Sequence, residues 1–232
     1  MIASGIRPRH LPVSGPQPAV LRTAEDALAL RDRLTPGASL LVVRHGQSVW
    51  NAEGRWQGRA DPPLTPLGEQ QAADAALHVG PIDEVWSSDL QRAHRTAEIV
   101  AAHLGLAVRV DPRLAERDAG EWEGLTRDEI EAGWPGWLAE HRRPPGFEPD
   151  DLVADRGITV LTELAARSGR VLVVSHSGVI RAVERALAST AGQLSNLGGV
   201  EFHLDAEGRL AVGERVVLLD PSEVEITTPK QI

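Results

Sequence analysis

The chain has 232 residues, 42% of them hydrophobic, no cysteine, and a formal net charge of −9. That length suits one large α/β domain or two small ones, and the missing cysteines exclude disulfides, thiolate metal sites and a thiol nucleophile. The acidic balance argues against nucleic acid or an anionic membrane surface as a partner, so an anionic substrate would need a locally positive pocket.

No apolar run reaches the ~20 residues of a membrane span. Arg7 and Arg9 are not followed by an apolar stretch, so no signal peptide is read and a cytoplasmic protein is expected. Residues 1–20 carry Pro8, Pro12, Pro16 and Pro18 with little periodicity and read as an extended arm or a mobile tail. Thr23 through Asp26 reads as the capped start of a short helix through Leu28, Leu30 and Leu34, stopped by Pro36-Gly37.

Leu40-Leu41-Val42-Val43 reads as a fully buried strand. It stops at Arg44, His45 and Gly46. Arg44 offers a planar fork of donors suited to phosphate. His45 offers a nitrogen nucleophile whose ordinary pKa lies near neutrality. Gly46 lets backbone approach a ligand closely. A strand followed by a polar loop with an incidental histidine is the competing reading of these three residues. The loop runs on through Asn51, Gln57 and Gly58 to Pro62-Pro63; long ordered loops at strand ends are usually functional. Thr65 and Pro66 then open a helix, with Ala72, Ala73, Ala76 and Leu77 as its buried stripe and Gly80-Pro81 as its stop.

A short strand over Asp83–Ser88 follows, and Asp89 is read as the cap of the next helix. Arg92 falls in the first turn of that helix, where a cation is disfavoured by the helix dipole unless an anion binds there. A solvated surface arginine is the alternative, and Arg95 shares it. Ala107–Val110 reads as a strand, and Leu114–Gly124 is dense in carboxylates and glycine. Residues 125–155 read as a surface excursion in which Trp134, Trp137, Arg142 and Arg143 either roof a pocket or form a packed flap. A helix through Ile158, Leu161, Leu164 and Ala165 precedes a second buried strand, Arg170–Ser175, which ends in His176-Ser177-Gly178 and leads at once into an apolar helix. Val200–Leu204 and Leu210–Leu219 form a terminal hairpin. Residues 221–232 read as a frayed polar tail.

Two apolar strands thus each end in a histidine beside glycine. The C-terminal ends of strands in an open parallel sheet line its ligand crevice, so His45 and His176 are predicted to share one. With Arg44, Arg92 and the helix start after His176, the site would be strongly positive and suited to a phosphoryl group.

In this order, Leu41–Gly46 with Asn51 six residues past His45, Gln57-Gly58, Leu64–Gly68, Ser87–Leu90 with Arg92-Ala93, Glu116 and Ser175-His176 resemble the histidine phosphatase superfamily, in its phosphoglycerate mutase-like branch. The resemblance covers about residues 39–219. The departures are the N-terminal arm and Ser177, where members more often carry a second glycine. It implies an α/β three-layer sandwich with a mostly parallel central sheet flanked by helices, occupying 39–220 between an N-terminal segment of 1–38 and a tail of 221–232. It implies that His45 is the nucleophile, that Arg44, Arg92 and His176 grip the phosphoryl oxygens, and that Asn51, Gln57, Gly58 and Ser177 line the binding site. Glu116 would protonate the leaving oxygen and later deprotonate water, a task for a carboxyl whose pKa is raised by burial. Glu121 and Glu123 compete for that role; both are otherwise read as solvated.

No cofactor or metal is implied, since two histidines without a third ligand are thin for zinc. His10, His78, His94, His103, His141 and His203 are treated as surface or core residues. The interval of 60 residues between Glu116 and His176 resembles that of the family's broad phosphatases, so hydrolysis of a small phosphate ester is expected. A phosphoglycerate mutase and a non-catalytic phosphate-binding module stay open as alternatives. Dimerisation is also open, with the hairpin or the arm as the edge that would supply it.

Overall fold

The computed structural model describes residues 19–20, 39–167, 169–188 and 191–228. The predicted helix after Thr23 and nearly all of the arm lie outside them. The two apolar runs are the middle of the sheet. Strands β2 (Ser39–Arg44) and β5 (Arg170–Ser175) are buried at every position and pair in parallel from Ser39 opposite Arg170 to Arg44 opposite Ser175. Around them the order is β1 (Ala19–Val20), β7 (Leu210–Val217), β6 (Gly198–Leu204), β2, β5, β3 (Glu84–Ser87), β4 (Val108–Val110). The terminal hairpin supplies the antiparallel pairs, β6 with β2 and β6 with β7; the other pairs are parallel.

Successive side chains of a strand leave on opposite faces, and here both faces are covered. Leu41 and Val43 pack with Leu172 and Val174 against α2 (Pro66–His78) and α3 (Gln91–Leu104). Leu40 and Val42 pack with Val171 and Val173 against α5 (Asp150–Ala165) and α6 (Ser177–Ala188). This is why the central strands read as unbroken apolar runs and not as alternation. The short helices α1 (Val49–Glu53) and α4 (Arg127–Gly133) lie in the connections.

Several expectations are corrected. Asp89 does not cap α3; its first amide, Gln91 N, donates to Asp61 Oδ1 at 2.8 Å, so the cap comes from the loop before α2. In α2 the buried stripe is Ala72, Ala75 and Ala76, continued by Val79 just past its end, while Ala73 and Leu77 are exposed. The buried polar residues Gln71 and Asp74 explain the shift, because they bond the chain end. Gln71 Nε2 donates to Glu225 O at 2.8 Å, and Asp74 Oδ2 accepts from Asp220 N at 3.0 Å. The tail is therefore docked as far as Thr227, whose carbonyl accepts from Asn196 N at 2.8 Å. The excursion also ends early, since α5 already begins at Asp150.

The rest of that excursion carries its own small core. Trp56, Trp122 and Ile130 are buried there, with Trp134, Trp137 and Phe147 packed against them. Trp56 and Trp122 meet edge to face with ring centroids 5.2 Å apart. Truncating a fully buried tryptophan costs about 3–5 kcal/mol. Trp122→Ala should lower stability by that amount, read from the denaturant midpoint. Limited proteolysis should then cut first within 125–149, because the other core clusters on the sheet are left intact.

Candidate active site

Because β2 and β5 pair in register, they finish side by side. His45 N donates to Ser175 O at 3.1 Å, carrying the ladder one residue beyond the strand. The two histidines emerge next to each other, with ring centroids 5.1 Å apart and planes at 61°. The two rings meet as expected from the two strand ends, but only His45 lines the crevice.

The turn after His45 is held on several sides. Gly46 N donates to Thr96 Oγ1 of α3 at 3.1 Å, and Asn196 Nδ2 donates to the His45 carbonyl at 2.9 Å. A Cβ at Gly46 would run into the Gly68 carbonyl, so only glycine permits this approach of α2. His45 Nδ1 lies 2.7 Å from Gly46 O. Since a carbonyl only accepts, Nδ1 carries the proton and Nε2 keeps its lone pair. Burial, then the charges of Arg92 and Arg44, holds the His45 pKa well below its ordinary value. The ring is therefore neutral at pH 7 and its Nε2 is nucleophilic without help from a base. His176 is lowered in the same direction by burial, then by Arg92, His45 and Arg44. Its Nε2 lies 2.9 Å from Ser88 Oγ.

Both arginines are buried beside these rings. Arg44 donates to Leu194 O at 2.9 Å. Arg92 donates to Gly58 O at 2.9 Å and to Ala60 O at 2.7 Å, so it also holds the loop that forms one wall. It is no solvated surface arginine. Burial, partly offset by Glu116, pushes each guanidinium down to about 10, and both stay charged at neutral pH. Their ε N–H groups are buried with no partner among the described residues. Two buried cations with spare donors beside two neutral imidazoles make a receptor for a tetrahedral oxyanion.

Glu116 is half-buried. Its carboxylate accepts from Arg117 N at 2.8 Å and from Gly178 N at 3.1 Å. A Cβ at Gly178 would meet that carboxylate, so any other residue there, one beyond the departure at Ser177, would displace the Glu116 side chain. The segment carrying Glu116 is pinned by Arg156, which donates to Arg113 O at 2.7 Å and Ala115 O at 2.6 Å while pairing with Glu148 at 2.8 Å. Glu121 is exposed. Glu123 is not a solvated carboxylate, since it accepts from the Arg59 and Ala60 amides and holds the loop. Neither lines the cavity.

The cavity measures about 280 Å³. His45, Arg44, Arg92 and Glu116 line it, as do Gln57, Gly58 and Ser177. Gln57 is steadied by Ser48 Oγ, which donates to its Oε1 at 2.7 Å. Asn51 lies elsewhere. Its Oδ1 accepts from Ser48 N in the capping box of α1 and from Asn196 Nδ2, and it is absent from the cavity wall. His176 backs His45 and is likewise no part of that wall. Trp134, Trp137 and Arg142 belong to the packed flap, where the Arg142 guanidinium covers Trp137 at 4.1 Å. Arg143 reaches the cavity, and so does His141, which is exposed but lines the site. Reading the sequence missed Arg117, Asp150, Arg181 and Arg185 on the wall, with Trp56 and Phe147. One signal was available. Ser177, Arg181 and Arg185 stand at intervals of four and so share a face of the helix that follows His176. Among the described residues no group of three or more His, Asp or Glu gathers as metal ligands would.

Both buried histidines have lowered pKa values in the fold. Below about pH 6.5 the unfolded chain takes up protons that the folded chain refuses, and stability falls as pH drops. Each histidine should contribute a slope of up to about 1.4 kcal/mol per pH unit. Urea unfolding between pH 7 and pH 5 should show this slope. His45→Gln should flatten it by one histidine's share; an unchanged slope would contradict the burial argument.

The sequence pattern of the histidine phosphatase superfamily (branch 1) matches residues 40–203. The chain is 38% identical over 165 residues to a glucosyl-3-phosphoglycerate phosphatase from Mycobacterium tuberculosis, covering 64% of this chain and 74% of the relative. It is 40% identical over 146 residues to a probable phosphoglycerate mutase from Salmonella newport, covering 58% and 67%. A solved mycobacterial glucosyl-3-phosphoglycerate phosphatase in complex with VO3 superposes with a TM-score of 0.69 at 31% identity, over 77% of this chain and 99% of that one. With the paired histidines at the strand ends and the buried arginines beside them, these matches place the chain in the histidine phosphatase superfamily, branch 1.

Proposed function

We propose that this chain hydrolyses small phosphomonoesters by way of a phosphohistidine on His45. The observation that carries the reading is the pair of buried, neutral imidazoles 5.1 Å apart, flanked by two buried guanidiniums with spare donors. His45 Nε2 attacks phosphorus, the P–O bond to the leaving group breaks, and Glu116 gives that oxygen its proton. Water then attacks the phosphohistidine, Glu116 takes the water's proton, and the P–N bond breaks to release phosphate. Arg44 and Arg92 hold the equatorial oxygens, where charge concentrates in the transition state, and His176 supports the His45 ring from behind. Gln57, the Gly58 backbone and the Ser177 amide at the start of α6 complete the cradle. Asn51 acts by steadying the turn through Asn196. A cytoplasmic setting belongs to this proposal; no helix among the described residues is long and apolar enough to cross a membrane.

A mutase would use the same first step and return the phosphoryl group to a second hydroxyl. The two outcomes separate cleanly: phosphate release from 3-phosphoglycerate and p-nitrophenyl phosphate supports hydrolysis, while interconversion of 2- and 3-phosphoglycerate without release supports the mutase. His45→Ala should lower turnover by at least about 10³-fold and abolish acid-labile phosphate labelling with the fold intact; retained labelling would reject the nucleophile. Glu116→Gln should lower kcat by about 10²–10⁴-fold for an alkyl phosphate. It should affect p-nitrophenyl phosphate much less, because that leaving group needs no proton.

A further inference from the structure

Attack by His45 needs a lone pair on Nε2, hence the ring proton on Nδ1, and Gly46 O is the acceptor that holds it there. That carbonyl belongs to the Gly46–Gln47 peptide. A peptide is a rigid plane whose C=O and N–H point in opposite directions. Whatever holds Gln47 N therefore aims Gly46 O. The group that does so is Gln71 of α2, whose Oε1 accepts from Gln47 N at 2.8 Å. Glycine has no Cβ to resist rotation of that plane, so the restraint falls on this bond.

Gln71 is fully buried, and its amide can face only one way. An end that meets an N–H must be oxygen, and an end that meets a carbonyl must be nitrogen. Its Nε2 donates to Glu225 O at 2.8 Å and to Thr227 Oγ1 at 3.0 Å. The Thr227 hydroxyl accepts that bond and donates in turn to Asn196 Oδ1 at 2.7 Å. This turns Asn196 Nδ2 toward the His45 carbonyl, 2.9 Å away. One hydroxyl thus orients two buried amides, and each amide grips the turn at His45. Residues 220–227 are themselves held against this network. Asp220 N donates to Asp74 Oδ2 at 3.0 Å, Val224 and Ile226 pack on the core cluster that includes Ala75 and Ala76, and Asn196 N donates to Thr227 O at 2.8 Å.

We infer that Gln71 is a positioning residue for His45, locked in its working orientation by the Thr227 hydroxyl and the Glu225 carbonyl. It sets the Gly46–Gln47 peptide and, through it, the tautomer of the ring. The role of that tautomer in turnover rests on the phosphatase reading; the tautomer itself does not.

Nitrogen-15 spectra of the histidine rings report the tautomer directly, and His45 is identified by the signals missing from His45→Gln. The unmodified protein should show His45 with its proton on Nδ1 alone. Gln71→Met should bring in the Nε2-protonated form and slow single-turnover labelling of His45 by p-nitrophenyl phosphate roughly tenfold or more. Thr227→Val removes only a hydroxyl at a half-buried position. It should slow labelling roughly three- to tenfold with KM nearly unchanged, and Thr227→Ser should restore the rate. If Gln71→Met does not fold, the Thr227 pair decides alone. A purely Nδ1-protonated His45 in folded Gln71→Met would overturn the inference, as would equal labelling rates in Thr227→Val and Thr227→Ser. If the unmodified protein neither turns over p-nitrophenyl phosphate nor labels at His45, the phosphatase reading falls, and the ring spectra alone decide on Gln71.

Discussion

Everything at the site follows from the in-register parallel pairing of two buried strands. A slip of one residue between β2 and β5 would turn every side chain of the slipped strand to the opposite face and separate His45 from His176. Register is enforced because both faces are buried. Leu41, Val43, Leu172 and Val174 must meet α2 and α3, while Leu40, Val42, Val171 and Val173 must meet α5 and α6. The same apolar constraint that closes the core therefore sets the spacing of the two imidazoles. No loop has to find that geometry by itself.

The strand ends also decide the electrostatics. Buried beside two guanidiniums, the imidazoles stay neutral, which suits one of them to nucleophilic attack. The guanidiniums stay charged because their intrinsic pKa is high enough to survive the burial that shifts them. One environment thus sorts two residue types into opposite charge states. The cost of holding cations there is offset in part by backbone carbonyls, those of Leu194, Gly58 and Ala60.

Arg92 belongs to both the wall and the site. By binding the Gly58 and Ala60 carbonyls it fastens the loop before α2, and Asp61 of that loop in turn caps α3, the helix that carries Arg92. Glu123 holds the same loop from the other side through two backbone amides. The docked chain end does similar work beneath His45. Thr227 Oγ1 donates to Asn196 Oδ1 at 2.7 Å, and Asn196 supports the His45 carbonyl.

Read alone, the sequence determined the two central strands, the histidine at the end of each, and a glycine within two residues of each, because unbroken apolar runs and their punctuation are local signals. It also determined the cap at Thr65, where the side chain accepts from an amide three residues on. The helix-dipole argument raised Arg92 as an anion ligand without excluding a surface charge; family resemblance then gave Arg92 its role and named Glu116. Tertiary structure decided what depends on distant partners: the cap of α3 from Asp61, the buried Gln71 and Asp74 under the chain end, Glu123 as a loop clamp, and Asn51 behind the site. It alone gathered Arg117, Arg143, Arg181 and Arg185 on one wall. Their chain positions span three segments, and no local pattern records which surface charges a folded sheet will bring face to face.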